Sequence, residues 1–169
     1  VNRGVLHSKN HTLIIEDARN VLLRSDETYD IISAQPIDPF FDKSGQLFSY
    51  EYYNLLKSRT NPEGVVTQWV PLYTLTPRDF QVFVRTFHEV FPYVQAYFPK
   101  NTDTQLILLG SEQPFAPLDN VIFTEEQIPP LDVPLNTDFH PIIEFSAARH
   151  LYQRDHKPVL ELIYNWRGQ

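Results

Sequence analysis

Two polar residues follow a short apolar run near the start of the chain, in a position suited to chemistry. Gln35 ends the run, which covers residues 29–35, and Asp38 stands in a turn bracketed by Pro36 and Pro39. A run of this length between turn-forming residues is typical of a buried parallel strand, which needs no polar alternation. Ligands of open α/β sheets bind beyond the carboxyl ends of the strands, so both side chains are candidate site residues. The alternative is an ordinary loop with an Asx-turn, since Asp before Pro is common in turns.

Asp17 is a third candidate, because it stands at the joint between two patterned segments. Residues 11–17 form an apolar run that we expect to be a short strand, and residues 18–24 have their apolar positions at helical spacing. At the carboxyl end of a strand the Asp17 carboxylate would face a ligand. Immediately before a helix it would instead cap the free N–H groups, and the local pattern favours the cap.

The elements that must position these residues follow an alternation of strand and helix patterns. Helices are predicted over residues 47–57 and from residue 77 to Pro92, and strands over residues 65–70, 93–98 and 104–110. Ser49 and Thr76 are the predicted N-caps. The Asn-Pro-Glu-Gly sequence at 61–64 predicts a break before the first of these strands, and the last two strands are expected to form a hairpin. This βαβ rhythm predicts an α/β protein with a parallel sheet.

The C-terminal third of the chain follows a different pattern. Residues 113–141 are rich in Pro and lack periodicity, which predicts an irregular segment that wraps the domain. Residues 144–152 predict a short helix, and the apolar tail at 156–169 is expected to dock on the rest of the chain. With 169 residues, the chain is expected to be one domain, with a core at 11–112 and an irregular extension at 113–169.

Composition excludes several classes of function. The formal net charge of −7 argues against a nucleic-acid partner and tolerates a cationic substrate better. Cysteine is absent, which excludes disulfides and thiolate metal sites and permits a cytosolic setting. The sequence contains no window long and apolar enough for a membrane span, no signal peptide, no Gly-rich phosphate loop and no paired-His metal motif. We therefore expect no metal site.

Taken as a set, several motifs resemble the spermidine synthase family in order and spacing. They are Glu16-Asp17-Ala18-Arg19, Tyr29-Asp30-Ile31-Ile32, Asp38-Pro39, Leu47-Phe48-Ser49-Tyr50-Glu51-Tyr52-Tyr53, Asn61-Pro62-Glu63-Gly64-Val65-Val66 and Gln68. The resemblance covers residues 11–112. The sequences at 68–73 and 136–145 are also similar to the synthase-like domains that are fused to membrane segments in some bacteria.

The resemblance implies a class I S-adenosylmethionine methyltransferase-like, Rossmann-like fold. It also implies transfer of an aminopropyl group from decarboxylated S-adenosylmethionine, the co-substrate, to a polyamine precursor, putrescine. In this reaction an amine attacks the carbon next to a sulfonium, so the amine must be held neutral and in line, work suited to a carboxylate. A homodimer, a cytoplasmic location and a parent protein anchored to the membrane also follow from the resemblance.

The same resemblance implies a role for each site residue. Asp17 and Ala18 would bind the adenine of the co-substrate, with Asp17 accepting from the adenine amino group. Asp38 would hold an amine of the acceptor, and Tyr50 and Gln68 would line the acceptor pocket. We expect Asp17, Gln35 and Asp38 to lie at the same carboxyl edge of one sheet, with their side chains facing a common cleft.

Two features depart from the family pattern. Gln35 occupies the catalytic position at which synthases usually carry Asp, and its amide cannot take a proton. The family binds its nucleotide through a Gly-rich turn after the first strand and an acid after the second, and nothing before His11 matches either. Together with the absence of Met, this predicts that the chain is a piece of a longer protein that begins at the third strand. Such a piece would bind no cofactor and be inactive alone.

Three functions remain open at this point. The chain is part of an aminopropyltransferase-like enzyme, part of a methyltransferase on the same fold, or a non-catalytic domain that binds or assembles. A sheet that begins at the third strand would leave the strand at 29–35 with a bare edge, which invites another chain. We expect residues 12–16, the C-terminal segment or a second copy to cover that edge.

Overall fold

The computed structural model describes residues 4, 8–35, 38–39, 41, 44–116, 119–150 and 155–168, and for residues 147–150 the backbone alone. The regular elements are, in chain order, α1 (Ala18–Arg24), β1 (Tyr29–Ala34), α2 (Tyr50–Ser58), β2 (Thr60–Pro71), α3 (Pro77–Val90), β3 (Tyr93–Tyr97), β4 (Gln105–Ser111), β5 (Phe123–Thr124), α4 (Ile142–His150) and α5 (Lys157–Arg167). Short 3-10 turns lie at Ser44–Phe48, Leu72–Thr74 and Glu125–Gln127. None of the helices in this part of the chain is long and apolar enough to cross a membrane.

The described strands form one sheet in the order β1-β2-β4-β3-β5. β1 and β2 run parallel and are connected through α2, whereas the other neighbouring strands are antiparallel. The parallel pair with its helical connection confirms the predicted α/β, Rossmann-like class. The β3–β4 pair is the predicted hairpin.

Local sequence signals determine where the two central helices begin. The Ser49 side chain accepts from the backbone N–H of Tyr52 and caps α2. At the start of α3, Thr76 and Asp79 form a capping box, and Pro77 occupies a first-turn position where its missing N–H costs nothing. Both predicted N-caps are therefore confirmed.

The hydrophobic core lies between the helices and one face of the sheet. Along β2, Val66, Gln68 and Val70 are fully buried, whereas the alternate residues Thr67 and Trp69 are only half-buried. The apolar stripe of α3 is buried as a whole: Phe80, Phe83, Val84, Phe87 and Val90. The face of β2 that repeats every two residues and the face of α3 that repeats about every 3.6 residues therefore line the same interior.

The C-terminal tail docks as predicted. In α5, Trp166 is buried, and its ring lies 5.6 Å from that of Phe80 and 5.4 Å from that of Phe123. The short helix predicted for 144–152 is α4, although residues 151 and 152 lie outside the described residues. Between these elements, the described part of 113–141 is irregular apart from β5 and one 3-10 turn.

Two local predictions are wrong. Residues 11–15 form no strand, and the side chains of Leu13, Ile14 and Ile15 are exposed, because a strand needs a neighbouring strand for its backbone groups and this run pairs with none in the described part of the chain. The predicted break at 61–64 lies instead inside β2, which begins at Thr60. The pairing of β1 with β2 shifts register there, so the extra residues are taken up as a bulge.

β1 forms one edge of the sheet, and the side chain of Ile31 is 67% exposed. Residues 12–16 do not pair with β1, and α5 packs against α3 and β5 at the other end of the sheet. Two of the three expected ways of covering the edge are therefore wrong for the residues described. Cover by a second copy stays a prediction.

We expect Trp166→Ala to lower the free energy of unfolding by about 3–5 kcal/mol, because it removes a buried ring and leaves a cavity between α3 and β5. Urea unfolding measures the change. Tyr164→Ala in the same helix is the matched control, since Tyr164 is 49% exposed and should cost much less. Equal losses for the two variants would contradict the docking of α5.

Candidate functional site

Asp38 lies at the edge of the sheet where β1 and β2 both end. The two strands run parallel, and Ala34 pairs with Gln68, so the segments that follow them leave the sheet on the same side. The segment after β1 reaches Asp38, and the segment after β2 reaches Tyr73. The Tyr73 hydroxyl donates to Asp38 Oδ1 at 2.7 Å.

The backbone around Asp38 is fixed separately from its carboxylate. The Asp38 carbonyl oxygen accepts from Ser44 Oγ at 2.8 Å and from the Phe41 N–H at 3.1 Å. Pro39 is buried, whereas Pro36, the other proline that brackets this turn in the sequence, lies outside the described residues. The Asp38 side chain is half-buried, so the carboxylate stands in a formed turn and still reaches solvent.

Gln68 is fully buried beneath this edge. Its Nε2 donates to the Trp69 carbonyl at 2.9 Å, but its Oε1 has no hydrogen-bond partner among the described residues. Burial of an acceptor without a donor costs free energy, and such an atom in a folded protein calls for an explanation. Gln68 is therefore an unusual buried polar residue beside this edge of the sheet.

Gln35 directly follows β1, and Tyr50 is the first residue of α2. Gln35 is exposed and lines a cavity of 200 Å³ together with Thr67, Trp69 and Gln105. Tyr50 begins α2, is half-buried, and its backbone N–H donates to the Asn136 carbonyl. Among the described residues, neither the Gln35 nor the Tyr50 side chain forms a hydrogen bond with Asp38.

Asp17 caps α1, as the local pattern favoured. Its Oδ1 accepts from the Asn20 N–H at 2.8 Å, and the side chain is exposed. The next residue, Ala18, lines a cavity of 320 Å³ between α1 and β1. Its walls are mainly apolar and include Val21, Leu22, Ile31, Ile32 and Tyr52.

This cavity is within the usual size range of small-molecule sites. Burial raises the pKa of Tyr52 to about 12, so this wall stays neutral at physiological pH. A flat apolar ring suits such walls. The cavity reaches Ser33 and Ala34, which also line the Gln35 cavity, so the two openings adjoin along β1. That Asp17, Gln35 and Asp38 share one cleft stays a prediction.

Arg19 and Asp138 form a two-pronged ion pair that sequence reasoning did not identify. Arg19 Nη1 donates to Asp138 Oδ1 at 2.9 Å, and Nη2 donates to Oδ2. Arg19 Nη1 also contacts the Gln46 carbonyl, and Ser49 Oγ donates to Asp138 Oδ1 at 2.6 Å. The guanidinium carbon lies 6.0 Å from the centre of the Tyr52 ring, so the pair is adjacent to the wall of the apolar cavity.

The ion pair changes the titration of both groups. Burial by itself raises the pKa of Asp138, but the hydrogen bonds from Arg19 and Ser49 and the charge of Arg19 outweigh it, so the pKa of Asp138 lies below its usual value. The hydrogen bond to Asp138 raises the pKa of Arg19. Both groups therefore remain charged through the neutral range.

Asn136 fixes the same segment from within the core. Its side-chain amide donates to the carbonyls of Gly45 and Phe48, and its Oδ1 accepts from the Ile143 N–H. Its backbone N–H donates to Thr86 Oγ1 in α3. A buried amide with this many partners resists displacement, because any move leaves several groups unsatisfied.

The residues missed by sequence reasoning all lie inside motifs that it had singled out. Arg19 belongs to the motif at 16–19, Tyr73 to that at 68–73 and Asp138 to that at 136–145. The motifs could have pointed to these residues. Nothing in the sequence showed which of them pair with each other across the chain. Within the described residues no group of three or more acidic or His side chains could hold a metal ion.

Comparison with known proteins gives a consistent family. Residues 2–108 match the model of the spermine/spermidine synthase domain. The chain is 33% identical to thermospermine synthase ACAULIS5 of Arabidopsis thaliana over 124 residues, which are 68% of this chain and 36% of that protein. It is 34% identical to the polyamine aminopropyltransferase of Aeropyrum pernix over 100 residues, which are 57% of this chain and 31% of that protein.

The chain therefore spans about a third of the length of the curated relatives it matches, 36% and 31%. Among solved structures, it is similar to human methyltransferase-like protein 13 in complex with SAH, with 15% identity and a TM-score of 0.48, over 87% of this chain and 60% of that chain. That score is too low to assign the fold, which stands on the strand order described above.

We expect the free energy of unfolding to fall as the pH drops below about 4, the ordinary pKa of an unfolded Asp side chain. The folded pKa of Asp138 is lowered, so its contribution is present above the unfolded pKa and is lost as the pH falls through the folded one. The stability gap between the wild type and Asp138→Asn should therefore narrow in acid. Urea unfolding as a function of pH measures the gap.

Asp26→Asn is the control for this titration, because the Asp26 side chain is fully exposed and its nearest cation, Arg59, lies 3.9 Å away. Its gap to the wild type should be small at every pH. A gap for Asp138→Asn that stays constant from neutral pH into acid would rule out the stabilising charge assigned to Asp138.

Proposed function

Because this chain belongs to the spermine/spermidine synthase family, we propose that its site serves the transfer of an aminopropyl group to a polyamine precursor such as putrescine. The observation that carries the proposal is the Asp38 carboxylate, fixed at the carboxyl edge of a parallel strand pair by one hydroxyl donor. An anionic group in that position suits an amine ligand. The net charge of −7 also favours a cationic acceptor.

Aminopropyl transfer is a substitution at carbon by a nitrogen nucleophile. The amine must give up a proton so that its lone pair can form the new carbon–nitrogen bond, while the carbon–sulfur bond breaks and methylthioadenosine leaves. Decarboxylated S-adenosylmethionine supplies the aminopropyl group. Asp38 accepts hydrogen bonds from the amine and places it in line, and Gln68, on the adjacent strand, belongs to the wall of the acceptor pocket.

Gln35 restricts the proton chemistry of this site. Its amide can donate and accept hydrogen bonds but cannot take a proton, so Asp38 is the base in our proposal and Gln35 only orients. The same amide favours a second candidate function, a domain that binds polyamines without catalysis. The two functions share the acceptor site and differ in whether product forms. Tyr50, at the start of α2, lines the acceptor side in either case.

The co-substrate side of the site is formed by α1 and the apolar cavity. Asp17 uses Oδ1 to cap the helix, and a carboxylate has a second oxygen with which to accept from an adenine amino group. Ala18, with no side chain beyond Cβ, leaves room for the ring in the cavity of 320 Å³. Capping and adenine binding are therefore compatible in one residue.

The chain alone is proposed to be inactive and to bind no cofactor. It contains five glycines, Gly4, Gly45, Gly64, Gly110 and Gly168, and they are too far apart to form a Gly-rich nucleotide turn. The motif at 68–73 supports a parent in which this domain is fused to membrane segments on the cytoplasmic side. The edge of β1 supports a homodimer.

Asp38→Asn should weaken putrescine and spermidine binding by about 10- to 100-fold, the scale of one lost charge-assisted hydrogen bond. NMR titration of the chain measures affinities down to the millimolar range. Asp26→Asn removes the same charge at an exposed position and should change the affinity less than twofold. Equal weakening by both variants would show that net charge, and not the Asp38 site, binds the amine.

The chain should bind neither decarboxylated S-adenosylmethionine nor methylthioadenosine appreciably, and it should form no spermidine from putrescine. Calorimetric titration and product analysis check the two statements. Micromolar binding, worth about 8 kcal/mol, would mean that the chain holds a nucleotide without a Gly-rich turn.

A further inference from the structure

Two carboxylates, that of Asp138 beside α1 and that of Asp38 after β1, are held in contrasting ways. Asp138 receives both prongs of the Arg19 guanidinium and the Ser49 hydroxyl, so its charge is cancelled and both oxygens are occupied. Asp38 receives the Tyr73 hydroxyl on Oδ1, and no described Lys or Arg forms an ion pair with it. Asp138 is thus committed to the fold, whereas Asp38 has no counter-charge among the described residues.

The Tyr73 hydroxyl donates to the carboxylate of Asp38. That turn is already held at the Asp38 carbonyl by Ser44 and Phe41, so the fold does not need a further donor to form it. A phenol hydroxyl is a neutral donor, which orients a carboxylate without neutralising it. Tyr73 therefore fixes the direction of the Asp38 carboxylate. It contacts Oδ1, and Oδ2 remains for a cationic ligand.

We propose that Tyr73 is a positioning residue for Asp38, which holds the carboxylate in the orientation that receives a primary amine of the acceptor. The proposal rests on the function proposed above, in which Asp38 binds that amine. Tyr73 follows β2 directly, within the 3-10 turn Leu72–Thr74, so its direction is set by the same strand that carries Gln68. The acceptor site would then be built from both strands of the parallel pair.

Tyr73→Phe tests the proposal, because it keeps the ring and removes only the hydroxyl. We expect putrescine and spermidine to bind about 10-fold more weakly, on the scale of one hydrogen bond to a charged group. Tyr97→Phe is the matched control: it removes a phenol hydroxyl that donates to a neutral amide, Gln95 Oε1, on β3, and should change the affinity less than twofold. Urea unfolding of both variants records any loss of stability.

A double-mutant cycle separates positioning from a purely structural role. If Tyr73 acts through the Asp38 carboxylate, Tyr73→Phe should change the affinity less than twofold once Asp38→Asn is present. A purely structural role would give the same fold-change in both backgrounds. If Asp38→Asn binding falls below the millimolar limit, the comparison of Tyr73→Phe with Tyr97→Phe decides.

The outcomes distinguish this inference from the function on which it rests. A wild-type chain that binds no polyamine would overturn the proposed function, and the role of Tyr73 with it. A wild-type chain that binds, with Tyr73→Phe within twofold of it, would overturn the role of Tyr73 and leave the function standing. Weaker binding confined to Tyr73→Phe and dependent on Asp38 supports the inference.

Discussion

The hydrogen bonds of one short segment, residues 136–138, hold together elements that the sheet alone does not connect. Asn136 joins the turn before α2 to α3 and to the start of α4, and Asp138 joins that segment to α1 through Arg19. These groups are buried or half-buried, so each bond lost would leave a polar atom unsatisfied. The position of α1, and hence of Asp17 and the apolar cavity, depends on this segment.

Tyr52 connects the segment to the cavity. Its ring forms part of the cavity wall, and the Arg19 guanidinium lies 6.0 Å from its centre. The ion pair therefore packs behind this wall of the cavity. A change at Asp138, far along the chain, would reach the cavity through two packed side chains. The segment 136–138 and the cavity wall are therefore connected through packed side chains.

Short-range signals were sufficient to predict most of the helices and the hairpin. The caps at Ser49 and Thr76 depend on residues three positions away, so the sequence pattern contains all the information needed. The strand predicted at 11–17 is absent because strand formation depends on residues elsewhere in the chain. Leu13, Ile14 and Ile15 have the apolar character of a strand, but a strand forms only where a neighbour satisfies its backbone, and no local pattern reports that neighbour.

The candidate site was predictable only where it depends on a local sequence pattern. The placement of Asp38 after the first strand followed from a local pattern, whereas its bond to Tyr73 joins residues 35 positions apart. The pair of Arg19 with Asp138 spans 119 positions. Gln68 could be assigned to a strand, but its complete burial depends on which face the helices cover. Contacts of this kind need the fold first.

The docking of α5 has a consequence for how the chain acquires its structure. Trp166 fills the core between Phe80 and Phe123, so the core remains incomplete until α5 has been synthesised and has docked. Loop closure over such distances is costly in entropy, and proteins rich in distant contacts fold slowly. Until α5 docks, the growing chain would therefore expose apolar surface that the folded protein buries.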